Sequence, residues 1–209
     1  MSRLLSTLIT QGYLKSDLVI EAFNTIRREE FVPPEFEEEA ETNIPLPIGY
    51  GQTISQPLTV AVMLELLDLR SGLTILDVGS GSGWASALLA HVVGEEGKVI
   101  AIERIPELYD FGKKNIEKFG YVSMGRVKCV LGDGASGYPD SAPYDRILVS
   151  ASVEEVPKAL KEQLKVGGKM VIPIYNSLAY IERKGDDDYY VERFPGFLFV
   201  PLIEKSPNF

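Results

Sequence analysis

The chain carries one cysteine, one histidine and one tryptophan among 209 residues. Each shortage removes something. Cys129 has no partner for an intramolecular disulfide, and its apolar setting, VKCVL, reads as that of a buried structural thiol. With His91 as the sole histidine, neither a histidine-rich metal site nor a Ser-His-Asp triad can be assembled, and no metal is expected. No stretch approaches the roughly 20 consecutive apolar residues of a membrane span. The opening MSRLLSTLITQG is too short and too polar for a secretory signal. A cytoplasmic protein without a membrane partner is the expectation. Excess positive charge is missing too: 21 Lys and Arg face 30 Asp and Glu, for a net charge of −9. Broad nucleic-acid binding needs a basic surface to displace counterions, so no nucleic-acid partner is expected.

What is there is ordinary for a globular protein. The composition is 45% apolar and 24% charged, and the chain is long enough for one α/β domain with a substantial core. From about residue 73, strand-like and helix-like segments alternate. Short, branched-rich runs at 74–78, 98–103, 127–131, 146–149 and 169–174 predict strands. Helical segments at 83–93, 106–119 and 156–164 lie between them, the second opened by Pro106 and the third followed by a turn at Gly167-Gly168. That succession predicts parallel strands joined by right-handed crossovers, a doubly wound sheet. Near the end, 179–183 and 189–193 flank KGDDD as a hairpin, and 197–203 reads as one more strand. The expectation is a mostly parallel, seven-stranded α/β sheet with antiparallel strands at its C-terminal edge.

Residues 1–70 have a different texture. An amphipathic helix is predicted over 17–26 with Ser16 as its cap. Pro33, Pro34, Pro45 and Pro47 then break the chain into an irregular loop before a helix over 56–67. They read as an N-terminal helical and loop extension that contributes to the site of a domain at 71–209, one globular unit overall.

Three predicted strand ends carry chemistry. After the first come Gly79, Gly81 and Gly83 in GSGSG, where bare backbone can turn sharply and approach a ligand. The spacing is G-x-G-x-G, followed by Trp84 and Ala85, not the G-x-G-x-x-G that seats a dinucleotide pyrophosphate. A nucleoside without phosphate suits it better. Glu103 ends the second strand, where an acid can accept hydrogen bonds from both ribose hydroxyls. Asp133-Gly134, after the third, present an acid and a bare backbone where an adenine can lie. Upstream, PLPIGYGQTISQP at 45–57 has the composition of a rigid loop over a site.

On the strings REEFVPPEF (28–36), PLPIGYGQTISQP, LDVGSGSGW (76–84), GDGASGYPDSAPYDRILVSAS (132–152) and EQLKVGGKMVIPI (162–174), the chain resembles the protein-L-isoaspartate O-methyltransferase family. FVPLI (199–203) is similar to that family's closing strand. The resemblance implies a Rossmann-like class I methyltransferase, acting as a monomer. It implies transfer of a methyl group from S-adenosyl-L-methionine to the α-carboxyl of isoaspartyl residues in damaged proteins and peptides. It places Ser55 at the family's active-site serine, with Gln52, Thr53 and Ile54 flanking the methyl donor beside it. Gly79, Gly81, Glu103, Arg104, Asp133 and Gly134 match donor-contacting positions. The chain departs from the family at AETNIPLPIG, where Glu41 and Asn43 stand in place of a common aromatic pattern, and in the hairpin at 186–188.

The chemistry agrees with the residues. A carboxylate nucleophile has a reference pKa of about 4 and is ionised at pH 7, so a protein with one histidine needs no general base. Other features take structural readings. Trp84 and His91 read as packing, Glu35, Glu37, Glu38, Glu39 and Glu41 as a solvated face, and Asp186 to Asp188 as a solvated turn. An amino-methylating nucleic-acid enzyme would carry N/D-P-P-Y/F after the fourth strand, where this chain has VSASVEEVP. A cofactor-binding module without turnover is the remaining rival, and the intact QTIS string counts against it.

Overall fold

A computed structural model describes residues 1–202. Its centre is a seven-stranded sheet made of β3 (Thr74–Val78), β4 (Lys98–Glu103), β5 (Val127–Leu131), β6 (Tyr144–Val149), β7 (Leu164–Ile174), β8 (Ser177–Gly185) and β9 (Asp188–Pro195), in the order β5-β4-β3-β6-β7-β8-β9. The first five are parallel to one another, β8 runs against β7, and β9 runs against β8. The mostly parallel sheet with an antiparallel C-terminal edge is therefore as the sequence predicts.

The strands read as apolar runs because both faces are covered. Ile75, Val99, Ala101 and Leu148 belong to one core, and Leu76, Ile100, Ile102, Ile147 and Val149 to the other, in strict alternation along each strand. Helices α4 (Trp84–Val93) and α5 (Pro106–Glu117) cover the first face, joined by α1 (Arg3–Thr10), α2 (Asp17–Thr25) and α3 (Pro57–Leu66). Since α4 is wedged between the sheet and α2, eight of its residues are buried, and its sequence is apolar nearly all round. Only the short α6 (Lys158–Glu162) and irregular segments cover the second face.

Several expectations are corrected. Residues 197–202 form no strand: Gly196, at φ 97°, turns the chain away, and Gly196 and Phe197 both donate to Asn176 O. The segment then meets Ser152 through two bonds only, Ser152 N–H to Val200 O and Leu202 N–H to Ser152 O, both at 2.7 Å. Ile203, the end of that predicted strand, lies outside the described residues. The helix predicted over 156–164 shrinks to α6 because Pro157 sets its start and Leu164 pairs with Tyr144. Gly167-Gly168 sit inside β7 as a bulge, where two steps along β6 (144 to 146) face five along β7 (164 to 169). Ser16 occupies the N-cap position of α2 without capping it; its hydroxyl donates to Glu65 Oε2 at 2.7 Å, tying α2 to α3. The loop at 45–57 contains a short hairpin, β1 (Leu46–Gly49) and β2 (Gln52–Ile54), hidden from pattern reading by Pro47 and its three- and four-residue strands.

One contact sets where α5 lies. A Cβ on Gly112 would stand 2.4 Å from Gly81 O and 3.2 Å from Gly83 N, so the helix backbone rests directly on the glycine loop. Gly112→Ala is expected to destabilise the protein by about 1–3 kcal/mol, the usual cost of overpacking, and to weaken nucleoside binding in parallel. Urea unfolding with and without S-adenosyl-L-homocysteine measures both.

Candidate active site

β3 and β4 end side by side, and the loop after β3 is built onto β4. Gly79 and Ser80 N–H both donate to Ile102 O, at 2.9 and 3.0 Å, and Gly83 N–H closes back on Ser80 O at 2.8 Å. Gly81 N–H donates to Glu103 Oε2 at 2.9 Å. The three glycines have φ of 77°, 51° and 85°, the left-handed region that side chains resist. Four loop N–H groups are thus engaged inside the protein. A pyrophosphate needs such groups facing outward. This loop offers it none of those four, and its bare backbone fits a nucleoside that lacks phosphate.

Glu103 is the hub. Its Oε1 accepts from the N–H groups of Arg104 and Ile105, at 2.8 and 2.9 Å. With Gly81 on Oε2, three of a carboxylate's roughly four acceptor positions are filled. The sequence did not foretell that this carboxylate is already bonded to the glycine loop.

A cavity of about 240 Å³ opens over this edge, where strand order reverses between β3 and β6. Gln52, Thr53, Ile54, Ser55, Gly79, Gly81, Glu103, Arg104, Asp133 and Gly134 all line it. Gly83 is set back; the space its Cβ would need is occupied by Gly112 O at 2.7 Å and Ile116 at 2.8 Å. Asp133 Oδ1 accepts from Ala135 N–H at 3.0 Å. Gly134 lies so close to β3 that a Cβ would stand 2.3 Å from Val78 Cγ1, so only bare backbone fits there. Across the cavity the hairpin turns through Tyr50 and Gly51 at positive φ and rests Ile48 Cδ1 3.3 Å from where a Gly81 Cβ would be. The Ser55 loop and the glycine loop are two walls of one space.

Residues 1–207 match the model of the protein-L-isoaspartate(D-aspartate) O-methyltransferase family. The chain belongs to that family. A protein-L-isoaspartate O-methyltransferase from Methanopyrus kandleri is 49% identical over 208 residues, 98% of this chain and 91% of its own. One from Staphylothermus marinus is 46% identical, covering 92% and 88%. A crystal structure of a Plasmodium falciparum protein described as a protein-L-isoaspartate O-methyltransferase, in complex with S-adenosyl-L-homocysteine, matches with a TM-score of 0.86 at 27% identity over 96% of each chain.

Sequence reasoning missed part of this methyltransferase's cavity. Ser150 and Ala151 line it and had a signal, since they follow a predicted strand. Val200, Pro201 and Leu202 were read as part of a strand similar to the family's closing one, with no sign that they reach the cavity, where they are placed by their bonds to Ser152. Trp84 lines it too but is anchored as packing: its indole N–H donates to Ile26 O at 3.1 Å and its ring meets Phe23 edge-on at 5.5 Å. His91 lies at the far end of α4, its Nδ1 3.1 Å from the Tyr121 hydroxyl. Cys129 is half-buried, and desolvation raises its thiol to about 11, so it stays protonated and inert.

Asp77, on β3 just before the loop, is fully buried. The Ser86 hydroxyl donates to its Oδ2, and Oδ1 has no hydrogen-bond partner among the described residues. Burial pushes its carboxyl up to about 7, opposed by the Ser86 bond and helped by the nearby Glu103 charge. Between the unfolded value near 4 and the folded value, only the folded state holds the proton, so stability falls as pH rises through that window. Asp77→Asn is expected to match the wild type near pH 4 and to exceed it at pH 8 by on the order of 1 kcal/mol, read from melting curves across pH. A wild-type stability that rises from pH 4 to 7 relative to the variant would refute the assignment.

Proposed function

We propose that this chain moves a methyl group from S-adenosylmethionine to the α-carboxyl of L-isoaspartyl residues in damaged proteins and peptides, with Ser55 at the point of transfer. The observation that carries this reading is the shared cavity: the glycine loop, Glu103 and Ser55 face the same space, and the loop's inward-bonded N–H groups suit a phosphate-free donor. Family membership supplies the reaction class.

On this reading the bare backbone of Gly79 and Gly81 and the carboxylate of Glu103 hold the amino acid and ribose portions, with Gly83 giving the loop its turn. Arg104, Asp133 and Gly134 border the adenine, and Gln52, Thr53, Ile54 and Ser55 flank the reacting end. The donor supplies a methyl carbon made electrophilic by its sulfonium; a C–O bond forms as the C–S bond breaks. The acceptor carboxylate is already ionised at neutral pH, with a reference pKa of about 4, so no side chain has to take a proton. The protein's work is holding the two reactants close and in line. Opposite charges cancel on the way to the transition state, so the apolar border supplied by Val200, Pro201 and Leu202 favours the reaction over a fully hydrated site. The Ser55 hydroxyl orients the carboxylate by hydrogen bonding and is not a nucleophile. Residues 1–70 belong to the site through the hairpin and α3. The net charge of −9 favours a protein partner over nucleic acid or an anionic membrane, and we infer a cytoplasmic monomer.

Labelled S-adenosylmethionine and paired peptides differing only in aspartyl or isoaspartyl linkage test the reaction. Base-labile label on the isoaspartyl peptide alone is the expected result; equal labelling of both, or none, overturns it. Ser55→Ala is expected to lower turnover about 10- to 100-fold, the worth of one hydrogen bond to a charged group, with activity remaining. Wild-type turnover in that variant would remove Ser55 from the mechanism.

A further inference from the structure

Behind the Ser55 wall lies a second charged group that the reaction scheme above does not use. Arg28, in the 3-10 turn Arg28–Phe31, is 5% exposed and does not itself line the cavity. Its Nη1 donates to Ala40 O at 3.1 Å and Thr42 O at 3.2 Å. Its Nη2 donates to Ile44 O at 2.8 Å, Ser55 O at 3.2 Å and, at the limit of bonding, Ile54 O at 3.5 Å. Its Nε has no hydrogen-bond partner among the described residues, and its Cζ sits 5.6 Å from the Trp84 ring centroid.

A buried cation held by carbonyls alone is an unfavourable choice for filling space, because desolvation is not repaid by a counter-charge. Burial does draw its pKa down to about 10, yet the group stays charged at neutral pH. What a guanidinium supplies, and an apolar chain or an ammonium does not, is a rigid planar fork that fixes several acceptors at once. Here one fork gathers carbonyls from residues 40–55, a stretch otherwise held mainly by the small β1–β2 hairpin and by Asn43 Oδ1 accepting from Leu58 N–H at 2.9 Å. The carbonyl and N–H of one peptide point opposite ways. Holding the Ser55 carbonyl therefore turns the Gln56 N–H away from Arg28, and Ser55 itself lines the cavity.

We propose that Arg28 is the positioning residue for the acceptor side of the reaction, fixing the Ser55 hydroxyl and its backbone against the isoaspartyl carboxylate by pinning the carbonyls of residues 40–55. This rests on the reading of Ser55 given above. Arg28→Lys keeps the charge and loses the fork; Arg28→Met keeps the length and loses both. Trp84 lies against Arg28, so its emission would change with the substitution itself, and far-ultraviolet circular dichroism reports whether each variant is folded. The expected result for Arg28→Lys is native circular dichroism, S-adenosyl-L-homocysteine affinity within about twofold of wild type, and kcat/KM for the isoaspartyl peptide lowered about tenfold or more, with Arg28→Met lower still. In the Ser55→Ala background the further loss from Arg28→Lys should be much smaller, since both changes remove one function.

Multiplicative losses in the double variant would overturn the proposal and leave Ser55 standing. Wild-type turnover in Ser55→Ala would instead take down the reading on which it rests. Cofactor affinity that falls in step with turnover, or lost native circular dichroism in both Arg28 variants, would assign Arg28 to the fold alone and also overturn it.

Discussion

The geometry of the glycine-loop wall depends on one carboxylate. Glu103 takes an N–H from the glycine loop on one oxygen and two from its own following turn on the other. Together with Ile102 O, which takes two more loop N–H groups, it makes the end of β4 the template on which the loop after β3 is shaped. The glycines permit that shape; the strand end dictates it. Gly112 lets α5 press its backbone onto Gly81 O, so the loop is held from below by the sheet and from the side by a helix. A ligand wall with so many of its polar groups already bonded needs little reorganisation when a nucleoside arrives.

The opposite wall is built on different terms. Residues 40–55 have two short strands, tyrosine and glycine in left-handed backbone, and prolines that remove donors. The hairpin pairs only part of this segment, and carbonyls on either side of it are gathered by the fork of Arg28 from behind. The glycine-loop wall is thus held by a sheet edge, while the Ser55 wall is held by a small hairpin, Asn43 and the fork of Arg28.

This difference also explains what the sequence made legible. The strands carry runs such as TILDV and KVIAIE, and glycines and acids follow them at fixed offsets, so β3, β4, Gly79, Gly81, Glu103 and Asp133 could be placed by local pattern. Arg28 could not, because its meaning lies in carbonyls 12 to 27 residues away and it looks like any basic residue in a charged stretch. The same holds for Val200 to Leu202, which reach the cavity across the end of β6 through a bridge that no periodicity encodes. Asn43 stood out as a departure from the family's pattern; in the structure it accepts the Leu58 N–H at the start of α3, so the departure has a structural use. Local chemistry was readable, and contacts made across the fold were not.

Of the four buried charged residues among those described, Arg146 is held by the carbonyls of Leu67 and Asp68, and the other three stand near the cavity. Asp77 and Glu103 stand on the glycine-loop side, and Arg28 stands behind Ser55. On the reading proposed, the cationic sulfonium donor lies beside Glu103, while Arg28 does not itself line the cavity. The ionisation of Asp77 is costly, since its Oδ1 is unpartnered and burial holds its carboxyl near neutrality. A cation arriving in the adjacent loop would favour its charged form, and by linkage the charged form would favour the cation. The product nucleoside has lost the sulfonium charge, so this preference weakens once the methyl group has moved.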